Sequence, residues 1–93
     1  MKEVTDADFK ESVKVGNVLV DFWANWCGPC KMFTPVFDAL SKEKPEITFI
    51  KADADKNRDS AKELGVRSIP CIILFKDGVE TKRWTGFQKK EEI

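Results

Sequence analysis

Cys27 and Cys30 are separated by two residues in Trp26-Cys27-Gly28-Pro29-Cys30. At that spacing two thiols can close a small reversible disulfide or supply half of a tetrahedral metal site. The run in front, Val18 to Trp23, is apolar on both faces, the pattern of a central strand covered twice. The run behind, Lys31 to Lys44, carries Phe33, Val36, Phe37 and Leu40 on one helical face. The thiols therefore sit at a strand-to-helix junction. There the unpaired N–H groups and the positive end of the helix dipole favour thiolate, the form that attacks a disulfide.

The metal reading is poorly supplied. The chain has three cysteines and no histidine, so a zinc ion would find only Cys71 beyond the pair among its preferred nitrogen and sulfur ligands. Asp53-Ala54-Asp55-Lys56-Asn57 imitates the start of a calcium loop, but Arg58 stands where the loop needs glycine and Leu64 where it needs glutamate. No metal and no cofactor are expected. An odd cysteine count also argues against a secreted disulfide framework.

Sixteen basic and sixteen acidic residues cancel, leaving no long-range field to recruit nucleic acid or an anionic membrane. No apolar run approaches the roughly 20 residues of a membrane span, and Met1-Lys2-Glu3-Val4 opens without the apolar stretch of a signal peptide. The expectation is a cytoplasmic protein, a monomer, with all 93 residues in one domain, 1–93.

The elements that must hold the pair can be read in order. Thr5-Asp6-Ala7-Asp8 resembles a capping box and predicts a first helix over about 6–14, closed by Gly16-Asn17. The strand Val18–Trp23 follows, and a second helix starts at Pro29, where a missing N–H costs nothing. Pro35 lies inside that helix and should kink it. Ile47–Ala52 reads as a second central strand, and a third helix over about 58–64 stops at Gly65. Ile69-Pro70 introduces the apolar strand Cys71–Phe75, and Asp77-Gly78 signals a hairpin into Val79–Thr85. Strand-helix-strand early and a hairpin late predict an α/β fold with a central mixed sheet flanked by helices. Phe33, Phe37, Phe49 and Phe75 are core by their patterning.

Asp21 breaks the apolar run of a strand covered on both faces, where a carboxylate is costly. It is either a satisfied polar or strand-end residue, or an acid whose raised pKa lets it exchange a proton with a neighbour.

The stretch from Val20 to Lys31, with Lys51 before Ala52-Asp53, Ile69-Pro70, Asp77-Gly78 and Gly86, resembles the thioredoxin family along essentially the whole chain. The resemblance implies a thioredoxin fold, here with a shortened C-terminal helix, since only Phe87 to Ile93 remain for it and two turns at most can form. It implies that an exposed Cys27 attacks a substrate disulfide and that Cys30 resolves the mixed disulfide. It makes Asp21 the proton-exchange partner of Cys30 and Lys51 the charge partner of Asp21, where the alternative for Lys51 is a solvated strand-edge lysine. The Ile69-Pro70 bond is expected to be cis. Trp26, Gly28, Pro29, Ile69, Pro70 and Gly86 are expected to form the docking rim for an extended substrate segment. Trp23 should pack against the site, Trp26 should be partly exposed, and Cys71 should be a small buried filler, with a regulatory or dimer-forming thiol as the alternative.

The resulting expectation is a protein dithiol-disulfide oxidoreductase working as a reductant on disulfide-containing proteins and recharged by a thioredoxin reductase. Gly28-Pro29 supports reduction, because the more oxidising relatives usually carry histidine there. The alternatives are an oxidase or isomerase of the same fold, or a non-catalytic binding subunit.

Overall fold

Val18 to Phe22 are all buried because their strand, β2 (Asn17–Trp23), lies at the centre of a five-stranded sheet. The computed structural model describes residues 1–93. The other strands are β1 (Lys2–Val4), β3 (Thr48–Asp53), β4 (Cys71–Lys76) and β5 (Val79–Thr85), and the order across the sheet is β1-β3-β2-β4-β5. β1, β3 and β2 run parallel, while β4 and β5 are antiparallel to their neighbours. The expected mixed sheet is therefore present. Asp77 (φ 49°) and Gly78 (φ 84°) both take positive φ in the β4–β5 turn, as a two-residue hairpin of this hand requires.

Alternation along β2 sends its side chains to two different cores. Val18, Val20 and Phe22 pack with Ile50, Ile73 and Phe75 against Phe9 and Val13 of α1 (Phe9–Val13). Leu19 and Ile72 pack with Phe33, Phe37 and Leu40 of α2 (Gly28–Glu43). Phe37 meets Phe49 edge-on at 5.1 Å, and Phe9 lies 5.6 Å from Phe22. Each such ring contributes about 1.5–3 kcal/mol through burial. Asp21 and Trp23 follow Leu19 at intervals of two, so they face α2.

The first helix is shorter than the capping pattern predicts. Asp8 does accept from the Thr5 N–H at 2.8 Å, but residues 6–8 form a turn and the helix begins at Phe9. Asp6 explains the difference, because its carboxylate is turned away to the start of α3 (Arg58–Glu63). It accepts from Ser60 N–H at 2.9 Å, Ser60 Oγ at 2.6 Å and Asp59 N–H at 3.2 Å. These bonds, the Ser60 hydroxyl foremost, hold its pKa below the usual carboxylate range. Asp6 thus supplies the cap that α3 lacks from its own N-cap residue, Asn57. Asp6→Ala is expected to lower stability by about 1 kcal/mol, read as a shifted urea midpoint at neutral pH.

Asn57 is fully buried, with its amide N–H groups bonded to the Val4 and Asp53 carbonyls at 2.9 Å each. α2 runs unbroken through Pro35, from Gly28 to Glu43. Cys71 is 1% exposed in the α1-side core, the buried filler its apolar strand suggested. After β5 the chain forms a single 3-10 turn, Lys90–Glu92, in place of an α-helix. It is tied down by a Lys90–Glu43 ion pair, by Trp84 Nε1 donating to the Glu92 carbonyl, and by Ile93 packing on the α2-side core. No helix of the structure is long and apolar enough to cross a membrane.

Candidate active site

Cys27 is the N-cap of α2, with an extended backbone (φ −93°, ψ 110°) that turns the chain from the strand end into the helix. Its carbonyl accepts from the Lys31 N–H and its own N–H donates to the Ala24 carbonyl, both at 3.2 Å. Cys27 Sγ accepts from the Cys30 N–H at 3.2 Å. A sulfur thus occupies the place that serine or aspartate usually takes at a helix start. Charge on that sulfur is stabilised by the same N–H and by the dipole, so the thiolate is favoured when the pair is reduced. In this structure the pair is oxidised, a Cys27–Cys30 disulfide with Cα atoms 5.3 Å apart.

The resemblance led to the expectation of an exposed Cys27, and here the structure differs. Cys27 is 6% exposed and Cys30 is fully buried. Cys27 Sγ lies 3.8 Å from the Ile69 carbonyl oxygen, and both cysteines pack with Ala24 against the half-buried Trp23 and Ile69. Only Cys27 presents a solvent-facing edge.

The rim residues come together from three parts of the chain. Ile69-Pro70 is cis, and Pro70 accepts at its carbonyl from the Gly86 N–H at 2.8 Å. Gly86 takes φ 86°, a conformation that side chains resist, which ties the end of β5 to the proline loop. Gly28 and Pro29 are exposed on the first turn of α2, and a Cβ added at Gly28 would meet nothing within 4 Å. Trp26 is 70% exposed, and its Nε1–H donates to Asp55 Oδ2 at 3.3 Å. Asp55 was legible only as part of the calcium-like run. Its oxygen is engaged with Trp26, and Asp53 Oδ1 accepts from the Asp55 N–H at 2.9 Å. Nowhere do three or more Cys, Asp or Glu side chains converge in a way that could hold a metal ion.

Behind the disulfide, Asp21 is fully buried with neither carboxylate oxygen hydrogen-bonded. Burial pushes its pKa up to about 7, against a smaller lowering by Lys51. Lys51 is the register partner of Asp21 on β3, yet its ammonium makes no ion pair with the carboxylate. It lies 4.5 Å from the centroid of the Trp23 ring and donates to Thr34 Oγ1 at 3.2 Å. The Thr34 hydroxyl in turn donates to the Cys30 carbonyl at 3.2 Å. Lys51 therefore acts on Asp21 through space, neither as a contact pair nor as a solvated edge lysine. Thr34 carried no signal in the sequence, since a threonine on a helix flank is unremarkable. Trp23 Nε1 is also buried without a partner on this face.

A disulfide closed across the first turn of a helix, beside a cis-proline loop, can be opened and closed by thiol exchange, the chemistry of a thiol-disulfide oxidoreductase. The thioredoxin family model matches residues 1–93. A thioredoxin of Chlamydia muridarum is 49% identical over 90 residues, covering 97% of this chain and 88% of that protein. A thioredoxin of Staphylococcus aureus is 47% identical over 92 residues, covering 98% and 88%. The structure of oxidised mitochondrial thioredoxin 3 from Saccharomyces cerevisiae superposes with a TM-score of 0.87 at 35% identity, covering 92% of this chain and 83% of that one. The chain belongs to the thioredoxin family. It is a dithiol-disulfide oxidoreductase, a reductant of protein disulfides through the Cys27–Cys30 pair.

Proposed function

We propose that Cys27 is the attacking and Cys30 the resolving sulfur, that Asp21 exchanges a proton with Cys30, and that Lys51 tunes Asp21 by its charge. The observation that carries this assignment is the asymmetry of the pair: Cys27 Sγ accepts the Cys30 N–H and Cys27 keeps some solvent exposure, while Cys30 has none.

In the reduced protein the Cys27 thiolate attacks one sulfur of a substrate disulfide. The Cys27–substrate bond forms as the substrate S–S bond breaks, and the departing substrate thiolate takes a proton from water. Cys30 then gives its proton, through a bridging water, to the Asp21 carboxylate, and its thiolate attacks Cys27 Sγ. The Cys27–Cys30 disulfide forms and the second substrate sulfur leaves as thiolate, to be protonated in turn. Two electrons and two protons reach the substrate. Trp26, Gly28, Pro29, Ile69, Pro70 and Gly86 hold an extended substrate segment across the disulfide by strand-like pairing with the Ile69 backbone.

A thioredoxin reductase returns the electrons. The chain works as a monomer and as one domain over residues 1–93, in the cytoplasm, where thiols are kept reduced. Cys30→Ser is expected to accumulate mixed disulfides on Cys27, recovered by mass spectrometry of non-reduced samples, because the resolving sulfur is gone. Stable adducts on Cys71 with Cys27 free would overturn the assignment. Reduction of a test protein disulfide with candidate reductases supplied one at a time identifies the electron donor; no turnover with any thioredoxin reductase would contradict that partner.

A further inference from the structure

Lys51 has a choice of partners, and the structure shows which it takes. Its register neighbour Asp21 is a buried carboxylate with two free oxygens, the partner that electrostatics alone would select. The ammonium sits instead on the Thr34 hydroxyl and the Trp23 ring. Thr34 Oγ1 can do this because its own proton is committed to the Cys30 carbonyl, one turn back on α2, which leaves a lone pair facing β3.

We propose that Thr34 is a positioning residue of the thiol-exchange site, whose hydroxyl, anchored on the Cys30 carbonyl, holds the Lys51 ammonium over the Trp23 ring and off the Asp21 carboxylate. The inference rests on the reading of Asp21 as proton acceptor of Cys30 and adds what keeps that acceptor available. An ammonium in contact with the carboxylate would hold it ionised well below neutral pH and weaken it as a base. Held at the Thr34 hydroxyl, the same charge only moderates the effect of burial.

Few groups act on Asp21. Lys51 faces it from β3, and α2 presents Cys30 from the same side of the sheet. On β4 its register partner is the apolar Ile72. Cys71, one residue earlier on β4, points to the opposite core but still feels the Asp21 charge, which adds to the effect of burial in raising the thiol's pKa. A change in Lys51 position should therefore be read directly in Asp21.

The test is the titration of the Asp21 side-chain carboxyl carbon by NMR in the oxidised protein, compared with Thr34→Val and Thr34→Ser. Valine keeps the shape of threonine without the hydroxyl and is expected to lower the Asp21 midpoint by about one pH unit as the ammonium closes on the carboxylate. Serine keeps the hydroxyl and should restore the original midpoint. Lys51→Met should move the midpoint the other way, upward, and should erase the difference between threonine and valine. An unchanged midpoint in Thr34→Val, or an upward one, would overturn the inference. The rate of Cys30 resolution, followed in the same variants, separates this claim from the one beneath it. If the midpoint moves as stated while resolution ignores it, Thr34 positions Lys51 and Asp21 is not the proton acceptor.

Discussion

Cys27→Ser is expected to abolish disulfide reduction while leaving the fold intact. A serine hydroxyl is not ionised near neutral pH, so the attack on a substrate sulfur has no nucleophile to begin it. The position itself tolerates the change, because serine is among the preferred N-cap residues and its Oγ can accept the Cys30 N–H that Cys27 Sγ now accepts. Circular dichroism and the urea midpoint should therefore stay close to those of the reduced parent, while turnover with a protein disulfide falls below detection. Substantial residual turnover would show that another sulfur, Cys30 or Cys71, can lead the attack.

Asp21→Asn should have the largest effect on stability of any single change at the site, and in the direction opposite to most core substitutions. The folded carboxyl titrates at about 7 and the ordinary carboxyl at 3.8. Between those values the folded chain keeps a proton that the unfolded chain has released, so stability falls as pH rises through that window. The gap of about three pH units corresponds to about 4 kcal/mol of destabilisation once the carboxylate is charged, at pH 8. Asparagine removes it, so the variant should be more stable by an amount approaching that figure at pH 8. The advantage should shrink steadily as the pH is lowered toward 4. Urea unfolding across this range measures it directly. In the proposed mechanism the same change takes away the proton acceptor of Cys30, so resolution of a mixed disulfide at neutral pH should slow about a hundredfold. A variant that is more stable and equally fast would leave Asp21 with no part in proton transfer.

Much of this site was legible because its chemistry is written in unusual residues at fixed places. A Cys-Gly-Pro-Cys run behind an apolar strand, an aspartate inside that strand and an Ile-Pro before the next one are conspicuous, and the alternating apolar runs place them on a sheet. Element order and strand direction followed from hairpin and crossover signals of the same local kind. What escaped were contacts between residues distant in sequence. Thr5-Asp6-Ala7-Asp8 looked like the start of a helix, and half of its capping box does form, but Asp6 is drawn to α3, more than fifty residues away. The resemblance paired Lys51 with Asp21, yet which oxygen its flexible ammonium would choose depended on Thr34, a residue of α2 seventeen positions away. Cys27 shows the same limit: the resemblance implies an exposed attacker, while its covering by Ile69 and Trp23 is a tertiary fact.

Equilibration of the Cys27–Cys30 pair with glutathione redox buffers, read by alkylation of the free thiols, tests most directly whether the pair is built to give electrons. Thioredoxins as a family lie at about −270 mV, and strongly oxidising relatives at about −120 mV. A midpoint in the lower range, lost when Cys27 is replaced, is the predicted result. The two ends differ by roughly 7 kcal/mol for two electrons, so a midpoint near −120 mV would contradict a reductant outright.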